Sequence, residues 1–128
     1  MHHLGIAVID LDASVALYRS LLGAELVHRS SNQGEGLDAA LMRLGSVDLE
    51  LLSATRADSP VGKFLAKRGP GLHHVAYAVD DIEAKLKEAR EAGLELIDPE
   101  PRIGMHGARI AFVHPKSVGG VLTEFVEA

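Results

Sequence analysis

A histidine followed later by a glutamate occurs twice along this chain, each time at the start and within a later part of a similar stretch. These four residues could bind a metal ion. His3 and His74 open similar apolar runs, HHLGIAV and HHVAYAV, in which small residues stand at alternate positions. Glu50 and Glu124 each interrupt a later apolar run. Two imidazoles and two carboxylates suit a divalent first-row ion such as Co²⁺, Mn²⁺, Ni²⁺, Fe²⁺ or Zn²⁺. We therefore predict a metal site at His3, Glu50, His74 and Glu124, with positions left for oxygen ligands.

The residues alone also allow a structural interpretation of the same pattern. A histidine in a strand is more often part of the core than a metal ligand, and a glutamate in a strand usually faces solvent. The doubled pattern and the small neighbours favour the metal site. Within each His-His pair we choose His3 and His74 over His2 and His73, since alternation places the second histidine on the small-residue face.

Positioning these four residues requires two similar halves, and the sequence predicts a βαβββ order in each. The first half should contain strands at 3–8, 24–27, 37–44 and 46–52, a helix after Asp10 or Asp12, and a loop or frayed strand at 28–36. The second half should contain strands at 74–79, 94–97, 109–114 and 121–126, a helix from about 82, and a loop at 98–109. Ser59 and Pro60 begin a short helix that ends before Gly69.

The predicted fold class is α+β, with two paired βαβββ modules that form a curved mixed sheet around the metal site. Because the joint Gly69-Pro70-Gly71 is short, residues 1–128 should form a single domain. Its expected parts are module one at about 1–54, a linking helix at about 59–68 and module two at about 72–128.

Composition excludes several classes of protein. The net charge of −5 gives no electrostatic support for binding nucleic acid. The absence of cysteine excludes disulfides and thiolate metal sites. No apolar run reaches the roughly 20 residues of a membrane span, and the first residues do not resemble a signal peptide. We expect a cytoplasmic protein with a small-molecule ligand.

The paired modules with their His, Glu, His, Glu set resemble the vicinal oxygen chelate superfamily over essentially the whole chain. Within it, three stretches are similar to the methylmalonyl-CoA epimerase family: HHLGIAVIDLD, LELLSATRADSPVGKFLAKRGPGLHHVAYAVDDIEA and EPRIGMHGARIAFVHPKSVGGVLTE. The third stretch is the most specific, because the glyoxalase I branch usually has a DPDG-type turn where this chain has HPKSVGG.

The resemblance implies a metal-dependent epimerase that moves a proton at C2 of methylmalonyl-CoA through an enolate. It assigns the metal, with Co²⁺ favoured, to His3, Glu50, His74 and Glu124. The family's usual base is a glutamate followed by Gln-Gly, whereas this chain reads SSNQGEGLD. Aligning Gln33-Gly34 puts Asn32 at that place, but counting back from Gly45 without gaps brings Glu35 within one residue of it. We therefore predict Glu35 as one acid/base.

The same resemblance suggests the remaining site residues and partners. Glu124 is the candidate acid/base for the opposite face of the substrate, in addition to its place in the metal site. Lys116 and Ser117 of the HPKS turn are candidates for contacts with CoA, with lower priority for Lys63, Lys67 and Arg68. The superfamily resemblance also suggests a homodimer, although the sequence itself contains no recognisable interface pattern.

Three other functions are compatible with the superfamily. A glyoxalase I type lactoylglutathione lyase would use the same four ligands, and a metal-free binding module would need none of them. An extradiol dioxygenase needs two histidines and one carboxylate around Fe²⁺, so Glu50 would be superfluous. We expect bound metal to distinguish the enzymes from the binding module.

Overall fold

The computed structural model describes all residues 1–128, which fall into two compact units. The first unit is His3–His73, and the second consists of Met1–His2 and His74–Ala128. The elements of the first are β1 (His3–Ala7), α1 (Leu11–Leu22), β2 (Glu25–Asn32), β3 (Leu37–Leu44), β4 (Val47–Ala54) and α2 (Pro60–Arg68). The following elements are β5 (Gly71–Val79), α3 (Ile82–Glu91), β6 (Arg102–Ile103), β7 (Arg109–Val113) and β8 (Thr123–Glu127).

The two units repeat one strand topology. In the first unit the strand order is β2-β3-β4-β1, with antiparallel pairs except for the parallel pair of β4 and β1. In the second unit the order is β6-β7-β8-β5, again antiparallel except for the parallel pair of β8 and β5. The predicted βαβββ order, the mixed strand directions and the α+β class are therefore confirmed.

The first helix of each repeat begins and packs in the same way. The carboxylate of Asp10 accepts a hydrogen bond from the amide of Ala13, and that of Asp81 accepts one from Ala84. These N-caps satisfy amides that have no partner within the helix. The helices then bury apolar stripes against the strands, through Leu11 and Val15 in α1 and through Ile82, Leu86 and Ala89 in α3. No helix of the structure has the length and apolar character of a membrane span.

Two of the predicted boundaries are wrong, and of the two alternatives for residues 28–36 the strand is confirmed over residues 28–32. Residues 28–32 belong to β2, because their backbone pairs with β3 even though most of their side chains are polar and exposed. The predicted strand at 94–97 is reduced to one bridge between Leu96 and Val113. The predicted loop at 98–109 contains β6, which pairs with β7 over two residues. In each case backbone pairing overrides the hydrophobic pattern from which we predicted the strands.

Candidate metal and substrate site

The first unit holds a buried histidine and glutamate pair. In the parallel register of β1 and β4, Glu50 lies opposite Gly5, and His3 precedes Gly5 by two residues on the same face. Nε2 of His3 is 3.8 Å from Oε1 of Glu50. The two residues are only 3% and 6% exposed. Gly5, the residue between them in the register, has no side chain and is buried as well.

The second unit repeats this pair in the same register. Glu124 on β8 lies opposite Ala76 on β5, and His74 precedes Ala76 by two residues. Nε2 of His74 is 3.3 Å from Oε1 of Glu124, and both residues are buried. The ring of Phe112, which lies opposite Glu124 on β7, meets the His74 ring edge-on with centroids 5.5 Å apart. The sequence repeat is therefore a repeat of side-chain geometry.

The geometry of both pairs fits the ligands of a divalent ion. Burying a carboxylate is costly unless it is neutralised or coordinated. His3, His74 and Glu124 are each buried side chains that offer a ligand atom for a metal ion. Ligand atoms about 2.0–2.2 Å from an ion lie roughly 3–4 Å from each other, which matches both His–Glu distances.

The other histidines of the two His-His motifs have different surroundings. His2 donates its backbone N–H to the carbonyl of Ala76. His73 packs its ring edge-on against Phe64, with centroids 4.8 Å apart. Both are half-buried, whereas His3 and His74 are buried. The prediction that His3 and His74 occupy the enclosed face is therefore confirmed, whereas their role as ligands stays a prediction.

Glu35 lies in a tight turn of residues 33–36 between β2 and β3. Its backbone N–H donates to Oδ1 of Asn32, and the N–H of Gly36 donates to the carbonyl of Gln33. Gly36 has a φ of +68°, in the region that favours glycine. The carbonyl of Gly36 accepts from the N–H of Thr55, which joins the turn to the end of β4. The half-buried Glu35 is thus on a defined turn rather than a loose loop.

The side chain of Arg56, which follows β4, forms hydrogen bonds with the backbone of this turn. Its Nη1 donates to the carbonyl of Gln33 at 2.6 Å, and its Nη2 donates to that of Gly34 at 2.9 Å. Its Nε lies 2.9 Å from a carboxylate oxygen of Asp58. A Cβ added at Gly36 would come within 2.8 Å of the Arg56 side chain, so the turn and the arginine fit closely. Sequence reasoning missed this residue.

Lys116 and Ser117 are engaged in contacts with the segment before β6. Nζ of Lys116 lies 3.0 Å from a carboxylate oxygen of Glu95, and the Ser117 hydroxyl accepts a hydrogen bond from the Glu95 N–H. The hydrogen bond and charge of Lys116 lower the pKa of the Glu95 carboxyl. Nδ1 of His114 accepts a hydrogen bond from the backbone N–H of Lys116. These contacts give the HPKS turn a structural role, and its contact with CoA stays a prediction.

The arginines of the hairpin formed by β6 and β7 lie on opposite faces. Arg109 makes ion pairs with Glu83 of α3 and Glu127 of β8. Arg102 pairs with Ile110 in the register and therefore lies on the other face, with Glu124. Sequence reasoning did not select Arg102, because its face depends on a two-residue strand that we predicted as loop.

Ser30 occupies in the first unit the place that Arg102 has in the second. Ser30 lies opposite Ala39, which lies opposite Leu52, two residues after Glu50. Arg102 is related in the same way to Glu124, through Ile110 and Val126. The hydroxyl of Ser30 is buried and has no hydrogen-bond partner in the protein. Buried hydroxyls normally have a hydrogen-bond partner within the protein, and Ser30 is an exception.

Comparison with known proteins identifies related proteins over the full chain. Residues 2–112 match the model of the Glyoxalase/Bleomycin resistance protein/Dioxygenase superfamily. An ethylmalonyl-CoA/methylmalonyl-CoA epimerase from Cereibacter sphaeroides is 38% identical, over 97% of this chain and 94% of its own. A Streptomyces coelicolor methylmalonyl-CoA epimerase variant, solved with 2-nitronate-propionyl-CoA, is 42% identical with a TM-score of 0.95. A methylmalonyl-CoA epimerase bound to methylmalonyl-CoA and NH4+ has the same identity and TM-score. Each of the two structural matches covers 100% of this chain and 93% of the other.

Proposed function

Because the chain belongs to the glyoxalase/bleomycin resistance protein/dioxygenase superfamily, we propose that it is a methylmalonyl-CoA epimerase. The reaction interconverts (R)- and (S)-methylmalonyl-CoA by proton transfer at C2. The observation that carries the proposal is the full-length identity of 42% to an epimerase bound to this substrate. The paired His–Glu geometry supports it, because such pairs can hold a divalent cation and the chemistry needs positive charge close to substrate oxygens.

We propose that His3, Glu50, His74 and Glu124 hold one divalent ion, with Co²⁺ the favoured metal. The donor set suits such an ion, and the distances within both pairs fit its ligands. When bound, the ion supplies positive charge that stabilises negative charge developing on the thioester and carboxylate oxygens. Each unit holds its histidine and glutamate on neighbouring paired strands, so that each pair is positioned before a substrate binds.

The proton transfer itself is the task of carboxylates on opposite faces of C2. We propose that Glu35 removes or returns the proton on one face and Glu124 on the other. The bonded turn around Glu35 supports its choice, since a base must be held within reach of its proton. A positioned acid/base typically contributes about 10²–10⁴-fold to a rate. Lys116 and Ser117 remain our candidates for contacts with CoA.

Hydrogen exchange at C2 tests the function directly. Protein stripped of metal and reloaded with Co²⁺ is incubated with methylmalonyl-CoA in D₂O, and deuterium at C2 is followed by mass spectrometry. We expect exchange that depends on metal and is slowed severely in Glu35→Gln. No exchange by the Co²⁺-loaded protein would refute the epimerase. Turnover of the hemithioacetal of methylglyoxal and glutathione would instead indicate the glyoxalase I type lyase.

A further inference from the structure

Arg102 lies on the polar face of the second unit although it is not part of the His–Glu pair. Its partner in the register is Ile110, and two residues further along β7 Phe112 lies opposite Glu124. Alternation along β7 puts Ile110 and Phe112 on one face, together with Glu124 and His74. Arg102 therefore adds a positive charge at the edge of the face that carries the proposed metal ligands.

The guanidinium group of Arg102 is oriented by its neighbours. Its Nε donates to Oδ1 of Asp98 at 3.1 Å, while Oδ2 of Asp98 accepts the backbone N–H of Phe112 at 2.9 Å. Its Cζ lies 5.6 Å from the centre of the Phe112 ring, within the range of a cation–π contact. Asp98 is thus hydrogen-bonded to β7 and to Arg102, and the Phe112 ring contacts the guanidinium group of Arg102.

The same aromatic ring connects the arginine with the histidine of the pair. Phe112 contacts Arg102 and also meets the His74 ring edge-on at 5.5 Å. The Arg102 side chain is 38% exposed, whereas the Asp98 side chain that orients it is 17% exposed. A guanidinium group that is held by a half-buried carboxylate and is still exposed to solvent is preorganised to bind an anion. Binding then costs little additional side-chain conformational entropy.

We propose that Arg102 binds an oxyanion of the acyl-CoA substrate. The inference rests on the proposed function and adds a substrate-binding residue to it. Methylmalonyl-CoA carries two kinds of oxyanion, the carboxylate attached to C2 and the phosphates of CoA, and the planar guanidinium fork matches both. The other arginine of the hairpin, Arg109, lies on the opposite face, where it contacts Glu83 of α3 and Glu127 of β8.

Binding of unreactive thioesters to the metal-loaded protein tests this role. Isothermal titration calorimetry compares malonyl-CoA, which has both kinds of oxyanion, with acetyl-CoA, which has the phosphates alone. If Arg102 binds the carboxylate, Arg102→Gln should weaken malonyl-CoA roughly 10–100-fold and leave acetyl-CoA unchanged. If it binds a phosphate, both ligands should weaken by a similar factor. Arg102→Lys should recover part of the loss, because it keeps the charge without the planar fork.

Arg109→Gln is the matched control, because its side chain is 39% exposed, also ion-paired, and on the opposite face of the same hairpin. Affinities of Arg102→Gln within twofold of the wild type for both ligands would overturn the proposal. So would an equal loss in Arg109→Gln, or a wild-type protein that binds neither thioester. Wild-type binding that depends on Arg102, without exchange at C2, would count against the epimerase and leave the anion site standing.

Discussion

The hydrogen bonds from Arg56 to the turn that carries Glu35 allow the proposed base to be tested. Arg56→Ala removes the hydrogen bonds to the carbonyls of Gln33 and Gly34. The Arg56 side chain is 46% exposed, so water can replace it at both carbonyls. We therefore expect a loss of only about 1 kcal/mol in the free energy of unfolding. In a domain of this size that corresponds to a fall in Tm of about 3–5 °C.

The effect on exchange should exceed the effect on stability. The turn would keep the bond from the Glu35 N–H to Asn32 but lose both contacts to Arg56. A misplacement of about 1 Å in a reacting group can cost about 10²-fold in rate. We thus expect deuterium incorporation at C2 to slow roughly 10–100-fold, and the Gly36 amide to exchange faster with solvent. Both are measurable by mass spectrometry on the same sample.

Arg43→Ala is the matched control for Arg56→Ala. Arg43 is 49% exposed in its side chain, forms a two-point contact with Asp48 and lies in the same unit. It should lower Tm by a similar amount without slowing exchange at C2. If Glu35→Gln slows exchange and Arg56→Ala does not, Glu35 is positioned without the hydrogen bonds from Arg56. If neither variant slows it, Glu35 is not the base.

Three further outcomes follow from the site. Added Co²⁺ should raise Tm of the metal-stripped protein, because an ion that binds only the folded state stabilises it, and His3→Ala or His74→Ala should abolish the shift in a thermal scan. Lys116→Gln should raise the pKa of Glu95 towards its ordinary value, as followed by NMR titration. Lys116 lowers the pKa of Glu95 in the folded protein. The ion pair of Glu95 with Lys116 therefore stabilises the folded state at pH values above the ordinary pKa of a glutamate, and this stabilisation is lost as the pH falls through the lowered pKa of Glu95. Ser30→Ala should leave the ligand-free Tm unchanged or raise it, since it removes a buried hydroxyl without a partner in the protein.

The sequence predicted the His–Glu pairs because strand alternation and repetition are local signals. His3 is two residues from Gly5 and His74 is two residues from Ala76, so their faces follow from the period of a strand. The sequence placed each glutamate on the last strand of its half, but it did not predict that the glutamate would lie opposite this small residue. The register shows this arrangement in both units.

The contacts of Arg56 and Arg102 could not be predicted from the sequence, because they depend on backbone groups and on backbone pairing. Arg56 binds backbone carbonyls of Gln33 and Gly34, and every residue has a carbonyl, so the acceptors leave no trace in the sequence. The face of Arg102 is decided by two backbone pairs between β6 and β7. Neither a hydrophobic period nor a turn motif marks so short a strand.

The repeated fold also shows where the two halves have diverged. Ser30 and Arg102 occupy equivalent places relative to Glu50 and Glu124, yet one offers a neutral hydroxyl and the other a cation. If both units served only to hold a metal, equivalent places would have no reason to differ in charge. An acyl-CoA substrate is itself asymmetric, with its anionic groups separated from its thioester carbon. A cation in the second unit agrees with such a ligand, and the contacts of Arg102 with Asp98 and Phe112 are the reason that we assign the anion to it.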